Sequence, residues 1–277
     1  MSETWYRIAF ADDRDVRLAV APGAHLGEAI ATAAARLGRD RTVWPVAAAT
    51  ATPGEVPLGE SVGKGVVVER AAPGPVDRFH FPAGVVPALG EGGRRSPVVA
   101  GWQARDEDGG LVLEAVVAGD GAREQFLRVV ERLPVVDNVE VQIAPHHDAG
   151  TATDVWLTPR LKDVRRALRF LDDFDDELLA SGHVDVSVYV RAPRSTWRLT
   201  QHKTLVLLTD DAAVRDQVRG WLVAGGLEER SPLVTVADGP HLHYRPAKSS
   251  PRAKLGARLT KAGLRRVATV PAKPAAT

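Results

Sequence analysis

Val184-Asp185-Val186-Ser187-Val188-Tyr189-Val190 sets valine at every second position, with Asp, Ser or Tyr between. A period of two belongs to a strand with one buried face and one face turned to water or another layer. Upstream, Leu161, Val164, Leu168, Leu171, Phe174 and Leu178 form one helical stripe, which stops near Gly182. Thr158-Pro159 offers that helix an N-cap and a proline at its first position. Earlier still, Leu111–Val117 reads as a strand, Ala122–Leu133 as a helix stopped by Pro134, and Asn138–Ile143 and Asp154–Leu157 as strands. A further unit follows residue 191: a strand over Ser195–Leu208, a helix over Ala212–Ala224 capped by Asp210 or Asp211, then strands near Val234 and His241. The expected class is α+β.

Residues 111–191 therefore run β-α-β-β-α-β, the ferredoxin-like order, inside a body spanning 98–245. Ahead of it, Tyr6, Ile8 and Phe10 alternate, as do Val16, Leu18 and Val20, on either side of the turn-like Asp12-Asp13-Arg14-Asp15. That is a hairpin pattern. Leu26, Ala29, Ile30, Ala33 and Leu37 then share a helical face, with Gly38 at its end. Strand material returns at Thr42–Ala49, Val56-Pro57-Leu58 and Gly65–Glu69.

The stretch from Leu18 to Ile30, with Gly54–Leu58 and Gly63–Val67, resembles the β-grasp domains of the ubiquitin-like family. The resemblance covers residues 1–70 and implies a docking module. It implies no conjugation tag, because the chain continues past Arg70 without a free Gly-Gly terminus. A Pro- and Gly-rich joint, 71–97, separates this head from the body. Its Phe79, Phe81, Val85, Val86 and Leu89 are too apolar for a solvated linker.

Charge divides the chain unevenly. Residues 246–277 hold eight Lys or Arg and no acid; a total of +1 leaves −7 for residues 1–245. Leu255, Leu259 and Ala262 give this tail a short basic amphipathic helix at most, and otherwise a disordered segment. Its Arg252, Lys254, Arg258, Lys261, Arg265 and Arg266 are the candidates for an electrostatic partner: nucleic acid, an anionic membrane or the acidic body itself. With no cysteine, disulfides and thiolate chemistry are excluded. No secretion signal or apolar stretch of bilayer length is visible, so a cytoplasmic location is expected.

Motifs with chemistry are few. His202-Lys203-Thr204-Leu205 resembles the His-x-Thr motif of two-histidine phosphoesterases, which use a pair of imidazoles as acid and base on a phosphodiester. That resemblance implies His202 as acid or base and the Thr204 hydroxyl as a phosphate ligand. His147, His183 and His241 all lack the Ser or Thr of a second copy. His241 and His243 share a strand face at a spacing suited to zinc, and His146-His147-Asp148 offers ligands in a loop. Neither group has a third ligand at a recognisable spacing, so no metal and no cofactor is expected. Asp172, Asp173, Asp175, Asp176 and Glu177 read as an outer helix face able to receive the tail. Gly90-Glu-Gly-Gly-Arg94 lacks the context of a phosphate loop, and Ser187 and Ser195 lack a nucleophile elbow. The leading expectation is a non-enzymatic adaptor mediating protein–protein interaction. A phosphodiester- or nucleotide-acting enzyme is the alternative.

Overall fold

A computed structural model describes residues 4–39, 42–52, 68–71, 78–90, 97–107, 110–161 and 163–271. Val56–Leu58, 65–67, most of the glycine run after Gly90, and Lys273 lie outside them. The class is α+β, as the alternating periods require.

The head consists of β1 (Thr4–Ala11), β2 (Val16–Gly23), α1 (Leu26–Leu37), β3 (Trp44–Thr50) and β4 (Val68–Ala71). Its sheet runs β3-β1-β2-β4, and every ladder is antiparallel. Helix α1 lays Leu26, Ala29, Ile30, Ala33 and Leu37 on Ile8, Phe10, Ala19 and Ala21, closing a core of small residues.

The joint is partly structured. Its β5 (Val85–Pro87) bonds to β13 far along the chain, and Val86, Leu242 and Tyr244 belong to the head's core. Leu89 N donates to Ala48 O at 2.8 Å, tying this strap to β3.

In the body, β6 (Gly101–Glu107), β7 (Gly110–Val116), α2 (Gly121–Arg132), β8 (Asn138–Ile143) and β9 (Ala152–Leu157) come first. Then follow α3 (Val164–Asp173), α4 (Asp175–Leu178), β10 (Val184–Val190), β11 (Ser195–Leu199), β12 (Thr204–Thr209), α5 (Ala212–Ala224) and β13 (His241–His243). Last are α6 (Arg252–Lys261) and β14 (Arg265–Pro271). All of these strands except β13, which pairs with β5, form one antiparallel sheet of eight, ordered β14-β9-β8-β10-β11-β12-β7-β6. The β-α-β-β-α-β order is present, but β7 stands between β12 and β6 and well away from β9. The hairpin β11–β12 fills that gap, so the run is part of a wider sheet and does not close as a four-stranded unit.

Val139, Val141, Ile143, Val184, Val186, Val188, Trp197, Leu199, Leu205 and Leu207 face the helices, meeting Phe126, Val129, Leu171, Val218, Leu222, Leu255 and Leu259. The other face carries Glu114, Glu140, Gln142, Asp185 and Arg198.

Three local expectations change. The helix expected from Thr158 starts at Val164, capped by Asp163, whose carboxylate accepts from Arg165 N at 2.9 Å. Thr158 instead accepts from Val139 N at 2.9 Å, holding the β8–β9 pair. The single strand expected over Ser195–Leu208 is a hairpin, because Lys203 takes φ 60° and turns the chain. The strand expected near Val234 is a short helical turn, Val236–Asp238, capped by Thr235.

The basic C-terminal segment is a helix and a strand folded against the body. Arg252 donates to Asp154 at 2.7 Å and to the carbonyls of Ala144 and Ala152, both at 2.6 Å. Arg258 pairs with the buried Glu177 of the acidic run, and its guanidinium lies 4.7 Å from the centre of the Phe174 ring. No described helix is long and apolar enough to cross a membrane.

Candidate metal centre

Six of the eight histidines, far apart in sequence, meet where β8, β10, β11 and β12 end against β13. The His202 ring centre is 4.9 Å from that of His241 and 5.0 Å from that of His243. His146 lies 4.5 Å from His243 and 4.9 Å from His183, and His147 lies 5.0 Å from His183. His25 and His80 complete the eight and belong to other surroundings, His80 stacked on Trp44 at 5.2 Å.

The local fold aims three of these rings. His241 and His243 project from one side of β13, as strand alternation dictates. His202 crowns the turn between β11 and β12. That turn is held from two sides: Gln201 N donates to the Asp185 carboxylate, and the fully buried Lys203 Nζ donates to Leu179 O at 2.8 Å and Ser181 O at 2.6 Å. Arg198 holds the other oxygen of Asp185.

The hydrogen bonds determine which nitrogens are free. His241 Nδ1 lies 2.7 Å from Gly239 O, and His243 Nδ1 bonds Gly182 O. A carbonyl only accepts, so each Nδ1 carries the hydrogen and each neutral ring keeps its lone pair on Nε2. Those two Nε2 atoms are 3.1 Å apart. Two lone pairs at that separation repel unless a proton or a metal ion lies between them. Protonation of His243 is a poor answer, because burial and the neighbouring histidines push its pKa down to about 3. A tetrahedral ion with metal–nitrogen bonds of about 2.0–2.1 Å would hold two ligand nitrogens roughly 3.3 Å apart. His202 supplies a third nitrogen, all three ligand atoms lying within 4.8 Å of one another.

Burial also holds the neighbours neutral, His147 at about 4 and His183 at about 2, and lowers His146 and His202. Neutral imidazole is the form that binds metal. An all-nitrogen set suits zinc, copper or nickel over magnesium or calcium. The three ligands are half-buried.

The other expected residues lie as follows. Thr204 is buried at the start of β12, and because φ of Lys203 is 60°, His202 and Thr204 do not alternate along one strand as the His-x-Thr reading required. Its backbone N donates to Thr200 Oγ1 at 3.1 Å. Asp148 receives Arg252 N at 2.7 Å. Ser195 bonds Thr209 at 2.9 Å inside the sheet. Of the tail residues, Arg252 and Arg258 are engaged with the body, Arg266 stands 3.5 Å from Asp154, and Lys254, Lys261 and Arg265 are exposed.

His202 as the third ligand escaped the sequence reading, because 39 residues separate it from His241. The Gly182 carbonyl and Lys203 carry no sequence signature at all. Compared with known protein families, curated proteins and solved structures, the chain matches none.

Proposed function

We propose that this protein binds a transition-metal ion of the zinc class through Nε2 of His241, Nε2 of His243 and His202, leaving one position open. The observation that carries this is the 3.1 Å approach of the two Nε2 atoms, with both Nδ1 atoms facing backbone carbonyls and His202 within 4.8 Å. Three histidines with an open fourth position form the type of site that lowers the pKa of bound water and polarises a substrate oxygen. The reading is therefore of a metal-dependent hydrolytic centre. It keeps His202 of the phosphodiester alternative, but gives it a ligand's role in place of acid or base.

The test is titration of the apo protein with Zn²⁺ and Co²⁺. One equivalent should bind, with the visible bands of tetrahedral Co²⁺. His243→Ala should weaken binding at least about 100-fold, since a ligand matters more than the groups that orient it. Absence of binding, or binding indifferent to His202→Ala, His241→Ala and His243→Ala, refutes the centre.

An adaptor role is the second reading. It is favoured by the ubiquitin-like resemblance of the head and by β14, which stands at the edge of the sheet among the described residues with Val267 and Val270 54% and 51% exposed. Such an edge is a template for an added strand.

A further inference from the structure

A groove of about 380 Å³ lies away from the histidines, between α3 and the end of α6. Thr158, Pro159, Leu161 and Ala262 line it together with two rings, Phe170 and Phe174, and three guanidiniums, Arg160, Arg166 and Arg169. Arg160 spends its Nε on Asp137 at 2.8 Å and is half exposed. Arg166 and Arg169 have no hydrogen-bond or ion-pair partner among the described residues, and both are exposed.

Three positions apart on one helix, Arg166 and Arg169 are neighbours, and like charges at that spacing repel. The acidic residue in the lining, Asp173, stands four residues after Arg169, one turn along α3, and seven after Arg166. An anion bridging Arg160, Arg166 and Arg169 removes the repulsion and uses the fork of donors that matches phosphate.

Part of the lining is apolar. The Phe170 and Phe174 ring centres are 5.1 Å apart, and Arg258 backs the Phe174 ring at 4.7 Å. A simple inorganic anion has no use for that part, whereas a phosphate joined to a planar body uses both. The volume lies within the range of small-molecule sites.

We infer that this groove binds a mononucleotide, its phosphates on Arg160, Arg166 and Arg169 and its base against Phe170. The assignment is independent of the metal centre.

The experiment is calorimetric titration of the full chain with ADP at low salt, beside adenosine, inorganic phosphate and an eight-nucleotide single strand. ADP should bind with a dissociation constant in the micromolar range and weaken as salt rises. Adenosine and inorganic phosphate should each bind at least tenfold more weakly. The exposed double substitution Arg166→Gln/Arg169→Gln, with its fold checked by circular dichroism, should cost at least tenfold, and Phe170→Ala should weaken ADP while sparing inorganic phosphate. His241→Ala should leave ADP binding unchanged. No ADP binding, or equal binding by the double variant, overturns the inference. Inorganic phosphate binding as tightly as ADP overturns the nucleotide assignment, and a strand binding over 100-fold tighter makes the groove a nucleic-acid surface instead.

Discussion

Gly182 sits where three segments of the chain cross. Its N–H donates to Tyr244 O at 2.9 Å and its carbonyl accepts from His243 Nδ1, while Gly84 lies directly against it. A β-carbon at Gly182 would stand 1.7 Å from Gly84 O, a backbone atom that cannot swing aside. Gly182→Ala must push the strap off the body and with it the β13 histidines. A loss of about 3 kcal/mol or more is expected in denaturant unfolding, in line with severe overpacking. Gly84 has φ 100°, so it is constrained from its own side as well. Nothing near 182 in the sequence marks it as more than a helix terminator. Its role comes from a partner 98 residues away.

At the scale of elements, α6 and β14 show how the charge asymmetry is used. The basic stretch was legible as basic and as helical, with Leu255 and Leu259 on the inner side, and both are buried. Docking on the acidic run was among the expectations, and Glu177 receives Arg258; Asp154, an ordinary acid in a strand, carried no such signal. Arg252 is the principal anchor, with bonds to Asp154, Ala144 and Ala152 and its backbone N on Asp148. Arg252→Ala leaves the half-buried Asp154 with the Thr269 hydroxyl at 3.1 Å and Arg266 at 3.5 Å. The cost should be about 1–3 kcal/mol, since the half-buried carboxylate loses its principal charged partner. Thermal unfolding at low and high salt checks this. A surface pair would lose its effect at high salt, whereas this one should keep most of it.

For the whole molecule, the concentration of neutral histidines ties stability to pH. His147, with its side chain 2% exposed, is held at about 4 by burial, and His183 at about 2. Both folded values lie below the unfolded value near 6.5, so the unfolded chain takes up these protons first on acidification. Their stabilisation is fully present above about pH 6.5 and is lost as pH falls toward 4. Between pH 7 and 5, His147 alone should account for about 1–2 kcal/mol of lost stability in the metal-free protein. Equilibrium unfolding at both pH values measures it, and His147→Phe should flatten the dependence. Metal binding should deepen the fall, because acid also competes for the ligands.

By itself the sequence determined the class and most elements. Hydrophobic period separates strand from helix wherever one face is buried, which is why β8, β10, α1 and α5 fall where the pattern puts them. It failed where one residue's backbone changes direction, as at Lys203, and where a cap other than the nearest Thr-Pro was used, as at Asp163. Only the tertiary structure decided the order of the eight strands and the meeting of His202 with His241 and His243. A strand's pattern records which face is buried but not which neighbour lies beside it, and a metal site requires atoms close in space whatever their separation along the chain.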